Sequence, residues 1–172
     1  MGEPTQKKTP GQIVAPSLDW LEGEVPRAEA FDDTYFSRAG GLEETRHVFL
    51  AGNGLPERWQ GRKSFAVAEF GFGTGLNFLV AWDAWARHGA KGTLHFTSFE
   101  AFPMSSEDMA QAHRSFPDFD GKRDALLDAW SPEGGEMRFG DVVLTVVIGD
   151  ARRAVPAWDG LADAWFLDGF SP

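Results

Sequence analysis

Residues 64–75 read SFAVAEFGFGTG, and this stretch carries the clearest structural signal in the sequence. Its first seven residues form an apolar run of strand length, and glycines follow at alternate positions, Gly71, Gly73 and Gly75. Over residues 76–88, apolar side chains recur at helical spacing. The pattern predicts a strand, a glycine turn and a helix in direct succession.

The chain beyond this stretch alternates in the same way between strands and helices. The predicted strands cover 93–100, 142–148 and 162–168, and the predicted helices cover 105–116, 120–130 and 151–158. Residues 136–139 are expected to form a hairpin with the strand that begins at Val142. Because apolar strands alternate with helices, we expect an α/β, Rossmann-like fold, a parallel sheet with helices on both faces.

Composition divides the chain into three parts. Residues 1–16 contain few apolar side chains and are predicted to be a flexible N-terminal arm. Residues 17–62 have irregularly spaced apolar side chains and are interpreted as an N-terminal extension, in which 42–50 fits either a short helix or an extended segment. Residues 63–172 contain the strand and helix alternation and are predicted to be the core domain.

Charge and composition exclude several classes of function. The 172 residues include 26 acidic and 16 basic side chains, a formal net charge of −10, and residues 101–172 hold 13 of the acids and 6 of the bases. A nucleic-acid-binding surface is normally basic, so the charge alone counts against such binding. The absence of cysteine excludes disulfides and thiolate metal sites, and the four histidines lack the spacing of metal ligands, so no metal site is predicted.

The sequence also shows no recognisable targeting signal. No apolar run approaches the ~20 residues that cross a bilayer, and the polar N-terminal residues do not resemble a secretory signal. We therefore expect a cytoplasmic protein without a membrane span.

Candidate functional residues follow the predicted strands at their carboxyl ends. In an open parallel sheet, ligands bind at this edge. Glu69 precedes the glycine turn, and Glu100, Asp150 and Asp168 follow the next three strands. Glycines allow the backbone to approach a ligand, and an acid after the second strand can accept hydrogen bonds from ribose hydroxyls. The pattern predicts a nucleoside site.

The glycine spacing indicates which nucleoside binds there. The dinucleotide pattern GxGxxG would need a glycine at the position of Leu76. The pattern GxGxG, preceded by an acid, resembles the first motif of S-adenosylmethionine-dependent methyltransferases. A dehydrogenase is disfavoured but stays an alternative. Three purely structural interpretations also stay as alternatives. In these, the glycine turn serves only packing, Glu100 is a solvated strand end, and Asp150 is a helix N-cap.

Several separate motifs occur in a fixed order along the chain. They are 35–37 (YFS), 41–46 (GLEETR), 48–50 (VFL), 52–53 (GN) with Leu55, Glu69 with 71–79 (GFGTGLNFL), 98–100 (SFE), 102–103 (FP) and 163–170 (DAWFLDGF) with Pro172. Together they resemble the methyltransferase domain of the MnmC family, from about Phe31 to the last residue. The resemblance implies S-adenosylmethionine as cofactor and the final methylation of methylaminomethyl-uridine, often thiolated, at the wobble position in the anticodon region of tRNA.

The resemblance also implies a set of site residues. It places the methionine part of the cofactor against Gly71, Gly73 and Gly75, the ribose on Glu100 and the adenine near Asp150. Glu69, Thr74 and Asn77 complete the cofactor-binding set. Asp168 is the candidate catalytic residue that would orient the substrate amine and accept its proton, and Phe170 and Tyr35 would face the substrate.

Two departures from the family pattern are visible. The family's domain continues beyond the Asp168 loop, whereas this chain stops at Pro172, so C-terminal strands of the sheet are expected to be missing from it. Many family members also carry a flavin-dependent oxidase domain, of which nothing is present, so no flavin is predicted and an oxidase would be a domain or partner outside this chain. A methyltransferase for another amine substrate and a non-catalytic cofactor-binding module stay as alternatives.

Overall fold

Two sheets form the architecture of the chain in a computed structural model, which describes residues 13, 15–21, 25–28, 33–34, 41–88 and 91–167. The smaller sheet is antiparallel and lies within the predicted N-terminal extension. Its strands, in spatial order, are β1 (Leu18–Leu21), β2 (Val25–Ala28) and β3 (Asp33–Thr34). The sequence pattern did not indicate these short strands.

The larger sheet has five strands in the order β6-β7-β5-β4-β8. Its strands are β4 (Ser64–Phe70), β5 (Thr93–Glu100), β6 (Gly135–Phe139), β7 (Val142–Ile148) and β8 (Ala164–Phe166). Only β6, the edge strand of the predicted hairpin, runs antiparallel to its neighbour. The order of the four parallel strands is consistent with a Rossmann-like fold, so the predicted α/β fold class is confirmed.

Five α-helices accompany the strands in the described part of the chain. They are α1 (Gly41–Thr45), α2 (Leu76–Arg87), α3 (Ser106–Ala112), α4 (Lys122–Ala129) and α5 (Ala151–Ala157). Helix α3 begins at an N-cap, Ser105, whose hydroxyl accepts a hydrogen bond from the Asp108 amide (3.1 Å) and donates one to the Asp108 carboxylate (2.8 Å). This reciprocal pairing satisfies a free amide at the helix start.

Helices pack on both faces of the larger sheet. On one face, Phe78 of α2 meets Phe96 of β5 edge-on, with ring centroids 5.4 Å apart. On the opposite face, Trp158, which follows α5, packs edge-on against Phe99 at 5.5 Å. The core includes these aromatic contacts and the buried residues Phe65, Val67, Leu79, Trp85, Leu94, Leu126, Leu144 and Phe166.

The segment 41–62 is helical and packs beside β8. Of the two alternatives for 42–50, the helix is found: α1 continues into a single π-helical turn, Arg46–Leu50. The Phe49 ring lies 5.2 Å from the Phe166 ring, and the Arg58 guanidinium donates to the Asp163 carbonyl at 2.6 Å. This segment therefore joins the core through the strand that leads to the predicted Asp168 loop.

Candidate functional site

The glycine loop (residues 71–75) turns the chain from β4 into α2. Gly71, Gly73 and Gly75 have φ values of 78°, 54° and 73°, a region that favours glycine. A Cβ at Gly75 would lie 2.8 Å from the Phe72 ring, so this position also lacks room for a side chain. The loop is anchored to the next strand because the Gly71 amide donates to the Phe99 carbonyl at 2.9 Å.

Glu100, at the end of β5, reaches the glycine loop directly. Its Oε2 accepts a hydrogen bond from the Gly73 amide at 2.9 Å, and its Oε1 accepts one from the Phe102 amide at 2.7 Å. The residue is only 8% exposed, so Glu100 is not a solvated strand end. Because a carboxylate has about four acceptor positions, this one keeps capacity for further donors.

Glu69 lies beneath the loop and is 0% exposed. Its Oε1 accepts a hydrogen bond from the Asn77 side-chain amide at 2.9 Å, and its Oε2 accepts one from the Ser98 hydroxyl at 2.7 Å. The Thr45 hydroxyl donates to the Asn77 Oδ1 at 3.0 Å. The carboxylate is thus part of a buried network that links β4, β5, α2 and α1. Sequence reasoning assigned no role to Ser98 or Thr45.

The backbone carbonyl of Thr74 is hydrogen-bonded to His113, which sequence reasoning considered only as one of four scattered histidines. His113 Nε2 lies 2.7 Å from the Thr74 carbonyl oxygen, and both side chains are buried. Burial lowers the pKa of His113 from its ordinary value, and the hydrogen bond to Thr74 opposes this shift. No local pattern indicates this contact, because 39 residues separate the two partners along the chain.

Asp150 caps α5 at the end of the third parallel strand. Its side chain accepts a hydrogen bond from the Arg152 amide at 2.9 Å, and the Arg152 guanidinium contacts both of its oxygens. The N-cap interpretation is therefore confirmed, while contact with adenine stays a prediction. The Gly149 amide donates to the Glu100 carbonyl at 2.8 Å, so Asp150 lies near Glu100 at the same edge of the sheet.

The hydrogen bonds from Arg152 lower the pKa of Asp150 to about 2. This carboxylate stays ionised at neutral pH and is partly exposed, with 40% of its side chain open to solvent. It can therefore accept a further donor from a ligand without first losing a proton.

Three predicted site residues, Asp168, Phe170 and Tyr35, lie outside the described residues. Strand β8, which precedes Asp168 in the sequence, is parallel to β4 and ends at Phe166 on the edge that carries the glycine loop. Across the described ranges, no cluster of three or more His, Asp or Glu side chains could hold a metal ion. No helix in those ranges has the length and apolar character needed to cross a membrane.

Comparisons with known proteins show what the chain is similar to. Residues 117–172 match a family described as S-adenosyl-L-methionine-dependent methyltransferases. The tRNA 5-methylaminomethyl-2-thiouridine biosynthesis bifunctional protein MnmC of Aromatoleum aromaticum is 47% identical over 90% of this chain and 25% of its own length. The protein of the same name from Chromobacterium violaceum is 49% identical, with the same two coverages.

A solved structure shows the same fold. The crystal structure of MnmC2 from Aquifex aeolicus matches with a TM-score of 0.70 and 24% sequence identity, covering 95% of this chain and 52% of that one. The predicted resemblance to the MnmC family is therefore confirmed, and the family that residues 117–172 match depends on the predicted cofactor, S-adenosylmethionine. The chain spans about a quarter of the length of the curated relatives it matches.

We expect Gly75→Ala to destabilise the chain more than Gly121→Ala, a matched control with a φ of 82° and no atom within 4 Å of its added Cβ. The left-handed conformation alone costs about 1–2 kcal/mol, whereas overlap with the Phe72 ring adds about 1–3 kcal/mol at Gly75. Urea denaturation measures both free energies of unfolding. An equal loss of unfolding free energy in the two variants would show that the glycine loop tolerates a side chain at position 75.

Arg152→Ala should raise the pKa of Asp150 from about 2 part of the way towards 3.8, because the amide of residue 152 still donates to the carboxylate. NMR titration of the Asp150 carboxyl carbon measures this shift. Arg153→Ala is the control and should raise the pKa less, because Arg153 contributes only its charge and no hydrogen bond to the carboxylate. In the unmodified chain the folded-state pKa lies below the unfolded one. The stabilising contribution of the pair is therefore complete above about pH 4 and is lost as the pH falls towards 2. An unshifted pKa in Arg152→Ala would contradict the assignment.

Proposed function

We propose that this chain binds S-adenosylmethionine and forms the methyl-transferring part of an enzyme that modifies tRNA. Its acceptor is the aminomethyl nitrogen of a wobble aminomethyl-uridine or its thiolated form, which gives the methylaminomethyl nucleoside. The names of the curated relatives support this acceptor. The observation that carries the proposal is the 2.9 Å contact between the Gly73 amide and the Glu100 carboxylate, which unites the glycine loop with the acid of the second strand.

The residues at this edge fit the proposed cofactor. The glycine loop can present its backbone to the methionine part, because Gly71, Gly73 and Gly75 adopt the left-handed conformations of a tight turn. Glu69 and Asn77 are hydrogen-bonded to each other at the base of the loop, and the carbonyl of Thr74 within it is held by His113. Glu100 keeps acceptor capacity for the ribose hydroxyls, and the ionised Asp150 can accept a hydrogen bond from the adenine amino group. When bound, S-adenosylmethionine supplies an electrophilic methyl group on its sulfonium.

Asp168 has the catalytic role in this proposal. An alkylamine titrates near the lysine value, about 10, so most of the acceptor is protonated at pH 7 and cannot attack. Asp168 accepts that proton and orients the nitrogen lone pair towards the methyl carbon. The new bond joins nitrogen to carbon, and the electrons of the broken bond return to sulfur. Phe170 and Tyr35 are assigned to contact with the acceptor base, and an oxidase domain or partner outside this chain acts before this final methyl transfer.

A second candidate acceptor follows from the charge. A net charge of −10 favours a cationic amine over a polyanion. Methylation of a different amine-bearing molecule is therefore the alternative that transfer assays must separate from methylation of tRNA.

Calorimetric titration tests the cofactor first. S-adenosylmethionine should bind the full chain, whereas NADH should not. Glu100→Ala should weaken binding about tenfold or more, because a hydrogen bond to a charged group contributes roughly 1.5–3 kcal/mol. Glu136→Ala, on the exposed side of β6, is the control. Binding of NADH alone would contradict the proposal.

Asp168→Asn tests the proton acceptor. Methyl transfer to undermodified tRNA should fall by about 10²-fold or more, because the amide cannot take the proton. The dissociation constant for S-adenosylmethionine should stay unchanged. Full turnover in this variant would exclude the assigned role, and transfer to small amines but not to tRNA would favour the second acceptor.

A further inference from the structure

His113 joins the helical layer to the glycine loop. It begins the short 3-10 turn His113–Ser115 that follows α3, and its ring packs against Phe116 with centroids 4.9 Å apart. Its Nε2 lies 2.7 Å from the carbonyl oxygen of Thr74, the residue between Gly73 and Gly75. A tertiary contact therefore acts on the part of the loop where the backbone is least restricted by side chains.

The tautomer and protonation state of the His113 ring follow from its surroundings. A carbonyl oxygen only accepts hydrogen bonds, so Nε2 carries the proton and donates. Nδ1 is buried and has no hydrogen-bond partner in the described ranges. Burial also lowers the pKa of this histidine, which keeps the ring neutral at pH 7. The ring thus leaves one nitrogen unsatisfied while its other nitrogen holds the loop.

An unsatisfied buried nitrogen costs free energy that an apolar side chain of similar size would not. His113 is 1% exposed, so neither nitrogen gains from water. Packing alone would be better served by leucine or phenylalanine. What distinguishes histidine at this position is the donor that it directs at the Thr74 carbonyl.

We propose that His113 is a positioning residue that fixes the glycine loop in the conformation that receives the cofactor, through the hydrogen bond to the Thr74 carbonyl. This inference rests on the proposed function. The loop has two further anchors, the Gly71 amide on Phe99 and the Gly73 amide on Glu100, and both hold amides. His113 is different because it restrains a carbonyl. The amide of the same Thr74–Gly75 peptide donates to the Phe72 carbonyl within the loop at 2.8 Å, and His113 holds the opposite side of that peptide from outside the loop.

Three variants of His113 in the full chain test the role. His113→Leu and His113→Phe remove the donor, and the phenylalanine keeps the ring contact with Phe116. His113→Gln places a side-chain amide donor at a comparable reach. His88→Leu is the matched control, because it removes a similar contact, of His88 Nδ1 with the Ala84 carbonyl (2.8 Å), at the far end of α2.

Two measurements apply to every variant. Hydrogen–deuterium exchange of the ligand-free chain should accelerate over residues 71–77 in the leucine and phenylalanine variants and stay unchanged over 142–148. Calorimetry should show about tenfold weaker binding of S-adenosylmethionine in these two variants. The glutamine variant should bind within about threefold of the unmodified chain, as should His88→Leu.

Unchanged loop exchange in a folded leucine or phenylalanine variant would overturn the inference. So would equal impairment of the glutamine and apolar variants, which would show that only the shape of the ring matters. If the unmodified chain fails to bind S-adenosylmethionine, the proposed function is wrong. The exchange measurement in the ligand-free chain still decides whether His113 holds the loop.

Discussion

The burial of the Glu69 carboxylate is the constraint on which the rest of the site depends. A carboxylate removed from water must receive hydrogen bonds within the protein, or it destabilises the fold. Glu69 receives them from Ser98 on the neighbouring strand and from Asn77 in the first turn of α2. The strand, its neighbour and the helix can therefore satisfy this group only in one relative position.

That position determines the geometry of the glycine loop above it. The loop spans the short distance between β4 and α2, and its glycines adopt left-handed conformations that other residues resist. Glu100 accepts a hydrogen bond from the Gly73 amide, and His113 donates one to the Thr74 carbonyl. A loop held in this way is preorganised, so less conformational entropy is lost when a ligand binds.

The same network extends to the N-terminal segment. Thr45 donates to Asn77, and Asn53 donates to the carbonyls of Phe49 and Trp165, so the helical turns 41–53 contact both α2 and β8. Arg62 pairs with Asp163 at 2.9 Å, and the other Asp163 oxygen accepts from the Ala66 amide. The segment before the glycine loop is thereby packed against the strand that leads to the proposed catalytic aspartate.

Elements whose signals are local could be predicted from the amino-acid pattern. Apolar periodicity placed β4, α2 and β5 at their observed bounds or within a residue of them, and the parallel order put Glu100 at the edge of the glycine loop. The ordered motifs predicted the resemblance to the MnmC family that the relatives confirm, and the family that residues 117–172 match uses the predicted class of cofactor. The choice between helix and extended chain at 42–50, the β1–β3 sheet and the contacts of Ser98, Thr45 and His113 became visible only in the folded structure. These contacts join residues 29 to 39 positions apart, so no periodicity or spacing within one segment encodes them. Side-chain direction and burial exist only once the strands and helices have packed together.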